Sequence, residues 1–367
     1  MTEKRGRSDT RPGAVRLSLG ERLPLRSIVL VILAIAIVVG VTLGSWATLS
    51  EGRFSGEQWR NLVIGGVARG GVYALIALGY TLVYGILFLI NFAHGEVFMA
   101  GTFTTFFVAG TLDSSGFLDS QPVVGIALLL VCSMAVSMGV AILLERIAYR
   151  PLRGAPRLVP LITAIGASLF LQYTFAGLFG TSSRAYPRID AITGTWSIFG
   201  AAVPRTQIIV IVGAALLVVG LYLFIARTRT GRSMRAVGED KEVAALMGID
   251  VDRVILVTFA IGGALAGAAG ILFVYGLNPQ VDFTMGFVPG IKAFTAAVLG
   301  GIGSVAGAAI GGLILGVLEA VGPFLFLQGA GVPSPNQLQP VVAFGLLVLI
   351  LIFRPGGIFG SPDEERA

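Results

Sequence analysis

The sequence predicts an all-α polytopic membrane protein: a bundle of about 9–10 transmembrane helices with a broken or re-entrant turn near residues 90–96. Three observations carry that prediction. Hydrophobic residues make up 55% of the chain and charged residues only 13%, where a soluble domain carries about 25% charged. The apolar residues gather in runs of about 18 or more, enough to cross a hydrocarbon core of roughly 30 Å. The runs are continuous, without the alternation of a membrane β-barrel, and helices are the remaining way to satisfy a backbone in lipid.

The elements follow in order. Seven Lys/Arg within residues 1–26 precede the apolar run Ile28–Gly44. That run exceeds the roughly 7–15 residues of a secretory core. Residues 1–58 are therefore expected to form a basic segment and an uncleaved anchor, the alternative being cleavage after Ala47. Ten crossings are expected, at 27–45, 62–88, 96–111, 122–144, 158–179, 206–226, 253–276, 288–302, 305–327 and 338–353. With the N-terminus inside, the inner regions hold 19 of the 26 Lys/Arg and the outer loops 5. The positive-inside rule then puts both termini in the cytoplasm.

The net charge of +6 raises nucleic acid as a partner. The charges flank apolar segments, however, as orientation signals do. Cys132, the single cysteine, sits within an apolar run and reads as a small buried hydrophobe.

The 51 glycines are organised. Gly262, Ala266 and Gly270 repeat every four residues, as do Gly263 and Gly267. Gly303, Gly307 and Gly311 form another series, beside Gly300, Ser304, Ala308, Gly312 and Gly316. Small residues at this spacing let helix backbones approach closely in lipid. The stretch GGIGSVAG (300–307) has the wrong spacing for a dinucleotide loop and follows no strand.

Polar residues interrupt this apolar chain at few places. The run Gly70–Val108 suits two spans, so Asn91–Gly95 is expected to be the turn between them. This turn carries no Lys or Arg, which suggests that it dips into the protein, where irregular backbone is tolerated if buried or lining a cavity. Asn91, His94 (the only histidine) and Glu96 either cap the two helices or line a translocation path. Tyr73, Tyr80 and Tyr84 share a helical face, serving packing or an aqueous path. Lys292 and Glu319 are a base and an acid within apolar runs. A central lysine costs about 2.5–3.5 kcal/mol on insertion scales, so Lys292 needs a partner or water, or snorkels to the interface. Arg69 reads as a snorkelling residue. Pro323 cannot donate to the carbonyl of Glu319 and is expected to kink its helix.

The basic loop 227–253 contains an expected amphipathic helix, Glu239–Met247, with Val243, Leu246 and Met247 on one face and Gly248 as its stop. E-V-A-A-L-M-G (Glu242–Gly248) resembles the E-A-A-x-x-x-G loop of ABC importer permeases, in which a cytoplasmic helix fits a groove of the ATPase subunit.

The likeness extends further. GGVYALIALGYTLVYGILFLINFAHGE (70–96), GRSMRAVGEDKEVAALMGID (231–250), KAFTAAVLGGIGSVAGAAIGGLILG (292–316), ERIAYRPLR (145–153) and RPGGIFG (354–360) closely resemble the LivH-type permease of branched-chain amino acid ABC transporters. The resemblance covers residues 59–360 as a permease domain, leaving 361–367 as a tail and 1–58 as a departure. It implies an importer subunit of a bacterial plasma membrane, carrying leucine, isoleucine, valine or similar amino acids. Implied partners are a LivM-type permease, two cytoplasmic ATPase subunits and an extracytoplasmic solute-binding protein. No G-x-x-x-x-G-K-[ST] occurs in the sequence, so the chain is expected to be no enzyme and to hold no cofactor, with ATP hydrolysed by its partners. Expected ATPase-coupling residues are Glu239, Asp240, Glu242, Ala245, Leu246 and Gly248. Expected path residues are Tyr80, Tyr84, Asn91, His94, Glu96, Lys292 and Glu319. Three rival readings are a permease for urea or short amides, an ion-coupled carrier using the buried acids and bases, and a non-transporting membrane scaffold, which leaves those charges unexplained.

Overall fold

The computed structural model describes residues 25–156, 158–198, 201–354 and 356–360. The basic segment expected before Leu25 and the tail 361–367 lie outside the described residues. Every expected crossing contains an α-helix. They are α1 (Leu25–Ser50), α2 (Gly56–Leu87) and α3 (His94–Ser114), then, past the single turn α4 (Phe117–Ser120), α5 (Pro122–Leu144) and α6 (Leu158–Phe179). Next come α7 (Arg205–Arg227), two short helices α8 (Arg229–Glu239) and α9 (Lys241–Leu246), and α10 (Val251–Gly276). The chain closes with α11 (Phe287–Gly300), α12 (Val305–Gly322) and α13 (Gln339–Phe353). At the end opposite α8 and α9, β1 (Arg184–Ala185) pairs antiparallel with β4 (Gln280–Val281), and β2 (Thr195–Ile198) with β3 (Ala201–Pro204).

Eight helices among the described residues are long and apolar enough to cross a membrane. The two expected crossings that fall short are α3 and α11. α11 corrects the expectation for 288–302: its 14 residues rise only about 21 Å, short of a core of roughly 30 Å. The preceding residues 277–286 are non-helical and supply the missing length from the strand-bearing end.

Bare backbone contacts explain the tight core. A Cβ on Gly316 would collide with the backbone of Gly70, one on Gly312 with Ala74, and one on Gly66 with Val317. α12 thus lies flush along α2, as its glycine spacing predicts. α11 and α12 meet the same way through Gly300 and Gly307. On the other side of the core, Ser133 Oγ of α5 donates to the Gly267 carbonyl of α10 at 2.7 Å, and Ser137 Oγ donates to the Val97 carbonyl of α3 at 2.8 Å. α1 is mostly exposed and reaches the core at Gly44, whose added Cβ would strike the carbonyl of Phe326.

Helix ends follow local chemistry. Ser55 and Gln58 form a reciprocal capping box before α2. Pro323 has no N–H for the carbonyl of Glu319, and the chain passes into a π-helical turn at Pro323–Leu327. A second π turn, Glu145–Tyr149, follows α5.

Replacing Gly316 by leucine should overpack α12 against α2, a fault costing about 1–3 kcal/mol or more. Gly40 of α1 has open space around it, so Gly40→Leu should be neutral. Thermal unfolding of the two purified variants should show a lowered midpoint for the first alone.

Candidate functional site

The α2–α3 connection is non-helical from Phe88 to Ala93, so the turn expected at Asn91–Gly95 starts and ends earlier. His94 and Gly95 are helical and open α3. Phe88 caps α2 in the left-handed region, φ 55°, the one non-glycine residue there among the described residues. The connection re-enters the protein. The His94 imidazole occupies the space that a Cβ on Gly79 would take, and Gly79 lies eight residues, about 12 Å, before the end of α2. α3 therefore starts deep in the bundle.

α11 starts at the same depth. A Cβ on Gly286 would collide with the Gly95 carbonyl, and one on Gly290 would lie 3.0 Å from Gly95 Cα. Two helix N-termini thus converge beside Glu96, which is 1% exposed. Glu96 Oε1 accepts from Gln172 Nε2 at 2.7 Å and from Ser168 Oγ at 3.2 Å. Its Oε2 has no hydrogen-bond partner. The positive ends of the α3 and α11 dipoles offset part of the carboxylate charge. The ring of His94 lies edge-on to Tyr80 with centroids 4.9 Å apart, and its Nε2 is unpartnered. Asn91 Oδ1 accepts the Tyr149 hydroxyl at 2.6 Å. Asn91 thus ties the break to the π turn after α5, while His94 and Glu96 are each deeply buried with one unpartnered polar atom, Glu96 lying where α3 and α11 meet.

Lys292 and Glu319 are brought together. Lys292 Nζ donates to Glu319 Oε1 at 2.5 Å, and both residues are buried. Arg69 is half-buried rather than snorkelling: its Nη1 lies 3.7 Å from Glu319 Oε1 and donates to Gln339 Oε1 at 3.0 Å. Tyr73 packs against the pair, its ring centroid 5.9 Å from Lys292 Nζ. This cluster links α2, α11, α12 and α13.

The basic loop corrects one expectation. The helix expected over Glu239–Met247 is divided: Glu239 ends α8, and Asp240 caps α9, its Oδ1 accepting from Glu242 N at 2.8 Å and Val243 N at 3.0 Å. The stop at Gly248 holds, with φ 82°. Gly248 N donates to Ala245 O and Ile249 N to Ala244 O, the paired bonds of a Schellman ending. Leu246 is 87% exposed and Met247 78%, with Val243, Ala245 and Glu242 also exposed. Lys241 Nζ lies 5.7 Å from the Phe88 ring. Loss of solvent there, helped by the Arg153 charge, lowers the Lys241 pKa from its ordinary value.

A family described as branched-chain amino acid transport system / permease component matches residues 62–351. The chain belongs to this permease family. It is 46% identical over 310 residues to the high-affinity branched-chain amino acid transport system permease protein BraD of Pseudomonas aeruginosa, covering 83% of this chain and 96% of that one. The corresponding LivH proteins of Salmonella typhimurium and Escherichia coli are 43% and 42% identical, covering 82% of this chain and 95% of theirs. In permease terms, α1 lies outside the matched residues.

Sequence reasoning on this permease missed Gln172, Ser168 and Tyr149, the hydrogen-bonding partners of the polar break. They come from α6 and the π turn after α5, and nothing in their own neighbourhoods signals the contact. Gly79 carried a signal: it stands on the same helix as Tyr80 and makes room for the lone histidine.

Glu319→Ala should destabilise the permease by about 3–5 kcal/mol, because it leaves Lys292 buried without its anion. Lys292→Met should cost less, since Arg69 still lies by Glu319, and Lys292→Met/Glu319→Leu should recover most of the loss. Thermal unfolding in detergent distinguishes the three.

Proposed function

We propose that the chain is one permease subunit of an ATP-driven importer that moves leucine, isoleucine, valine or similar amino acids into the cell. Its partners in this reading are a LivM-type permease, two cytoplasmic ATPase subunits and an extracytoplasmic solute-binding protein. The end bearing α8 and α9 faces the cytoplasm, as do both termini, in keeping with the positive-inside rule.

The observation that carries this reading is the outward apolar face of α9. Leu246 and Met247 are the most exposed large apolar side chains of the basic loop, on a short helix fixed at both ends by Asp240 and Gly248. Such a knob suits an apolar groove in a partner better than it suits water. ATP-driven closure of the ATPases would displace α9, and the closely packed helices would shift as units between outward and inward openings. The path runs by the point where α3 and α11 begin. Helix N-termini at mid-depth favour a substrate carboxylate, and the vacant oxygen of Glu96 accepts an ammonium. Tyr80 and Tyr84 lie along the same side of α2, whereas the Lys292–Glu319 pair holds helices together and stands off the path.

In proteoliposomes carrying the full complex, leucine uptake should require ATP and the binding protein and should persist with an uncoupler. Leu246→Asp should release the ATPases, seen as loss of co-purification. Glu96→Gln should keep the complex intact and lower uptake by roughly tenfold or more, the scale of a hydrogen bond to a charged group. ATP-independent uptake would overturn the reading.

A further inference from the structure

A cavity of about 360 Å³ opens at the α8 end, between the C-terminal turns of α2, α8 and the loop before α12. That size falls in the range of small-molecule sites. Its walls are Tyr84, Phe88, Leu82, Ile86, Met234 and Val305. The rings of Tyr84 and Phe88 meet edge-on at 6.0 Å and form an aromatic floor. Two charged side chains also line it, Arg235 and Glu239. They stand four residues apart on α8 and so share a face. Neither forms an ion pair or hydrogen bond with a described residue. The site therefore offers one free cation, one free anion and an apolar recess.

We propose that this cavity is a second amino acid site, one that binds a zwitterion with an aliphatic side chain from the cytoplasm. Arg235 takes the carboxylate, Glu239 takes the ammonium, and the side chain rests on Tyr84 and Phe88. Opposite charges at the rim favour an amino acid over a simple amine or acid, because each charge of the ligand has a partner. The position carries a consequence. The cavity wall contains Phe88, the cap of the α2–α3 break, and Glu239, the residue before the α9 cap. A ligand seated there wedges α8 against the end of α2 and holds the break in one position. Cytoplasmic leucine should then slow import.

The inference rests on the import reading for its orientation and ligand class. Binding of radiolabelled leucine is measured on the purified permease–ATPase complex in nanodiscs, without the binding protein. Saturable binding is expected, with valine and isoleucine competing and both 3-methylbutylamine and 4-methylpentanoate failing to compete. Arg235→Gln and Glu239→Gln should each weaken binding by roughly tenfold or more. Leucine preloaded inside proteoliposomes should slow uptake by the unaltered complex. The competition series uses the unaltered protein, so a misfolded variant leaves the result readable. No saturable binding, equal competition by the amine or the acid, or unchanged binding in both variants overturns the site. Uptake of leucine with no binding here would sink this inference alone. Binding here without uptake would sink the import reading alone.

Discussion

Backbone laid directly on backbone is the constraint on which the rest depends. Lipid gives helices no hydrophobic reason to associate, because the acyl chains are as apolar as leucine. Close packing must supply the attraction instead. Glycines 66, 70, 312 and 316 remove the side chains between α2 and α12, and the two helices run in contact over several turns. The Lys292–Glu319 cluster is positioned by that contact. Glu319 follows Gly316 by three residues on α12, and Arg69 and Tyr73 flank Gly70 on α2. Once the glycines meet, the acid faces the arginine and the tyrosine, and Lys292 arrives from α11.

The buried charges are compensated in two different ways. Lys292 and Glu319 neutralise each other within hydrogen-bonding distance. Such a pair repays its desolvation only with good geometry, and the flanking Arg69 and Tyr73 improve it. Glu96 has neither lysine nor arginine within ion-pair distance among the described residues. Neutral donors on α6 and the N-terminal ends of α3 and α11 surround it instead. In the first, Glu319 Oε1 is held by Lys292 with Arg69 beside it, while its Oε2 has no hydrogen-bond partner. The second also leaves an oxygen unpartnered, at a point where two helices begin, and the two acids differ in having cations beside one and neutral donors beside the other.

Much of the bundle was legible because lipid restricts the choices. Continuous apolar runs became helices, and the glycine series became contacts between them. Depth was not legible. Residues 277–286 do not announce that they enter as non-helical chain, and α11 read as a full crossing. Only its length, set against its contact with Gly95, reveals a half-helix. The α8–α9 boundary was missed for a local reason: Asp240 competes for backbone N–H groups as a cap, and a periodic apolar pattern does not register that. Lys292 and Arg69 could each have snorkelled by sequence alone. Their burial follows from the arrival of Glu319, a contact across 27 and 250 residues respectively.

The α2–α3 break is gripped by α8 and α9, the helices of the basic loop. Gly238 of α8 packs on the carbonyl of Gly85 with no side chain between them, and Lys241 of α9 lies over the ring of Phe88. On the other flank, Tyr149 holds Asn91, and Arg153 joins Glu145 beside it to Asp252 at the start of α10. The break itself is strained: a phenylalanine in the left-handed region costs on the order of 1–2 kcal/mol. Strain of this kind persists where neighbouring structure imposes it. Here the imposing contacts are those of α8, α9 and the π turn, so moving α9 changes the forces that keep Phe88 in place. The same six residues lead directly to His94 and Glu96. Under the proposed coupling, a displacement begun at the exposed face of α9 would reach the mid-depth acid through this short stretch of non-helical backbone.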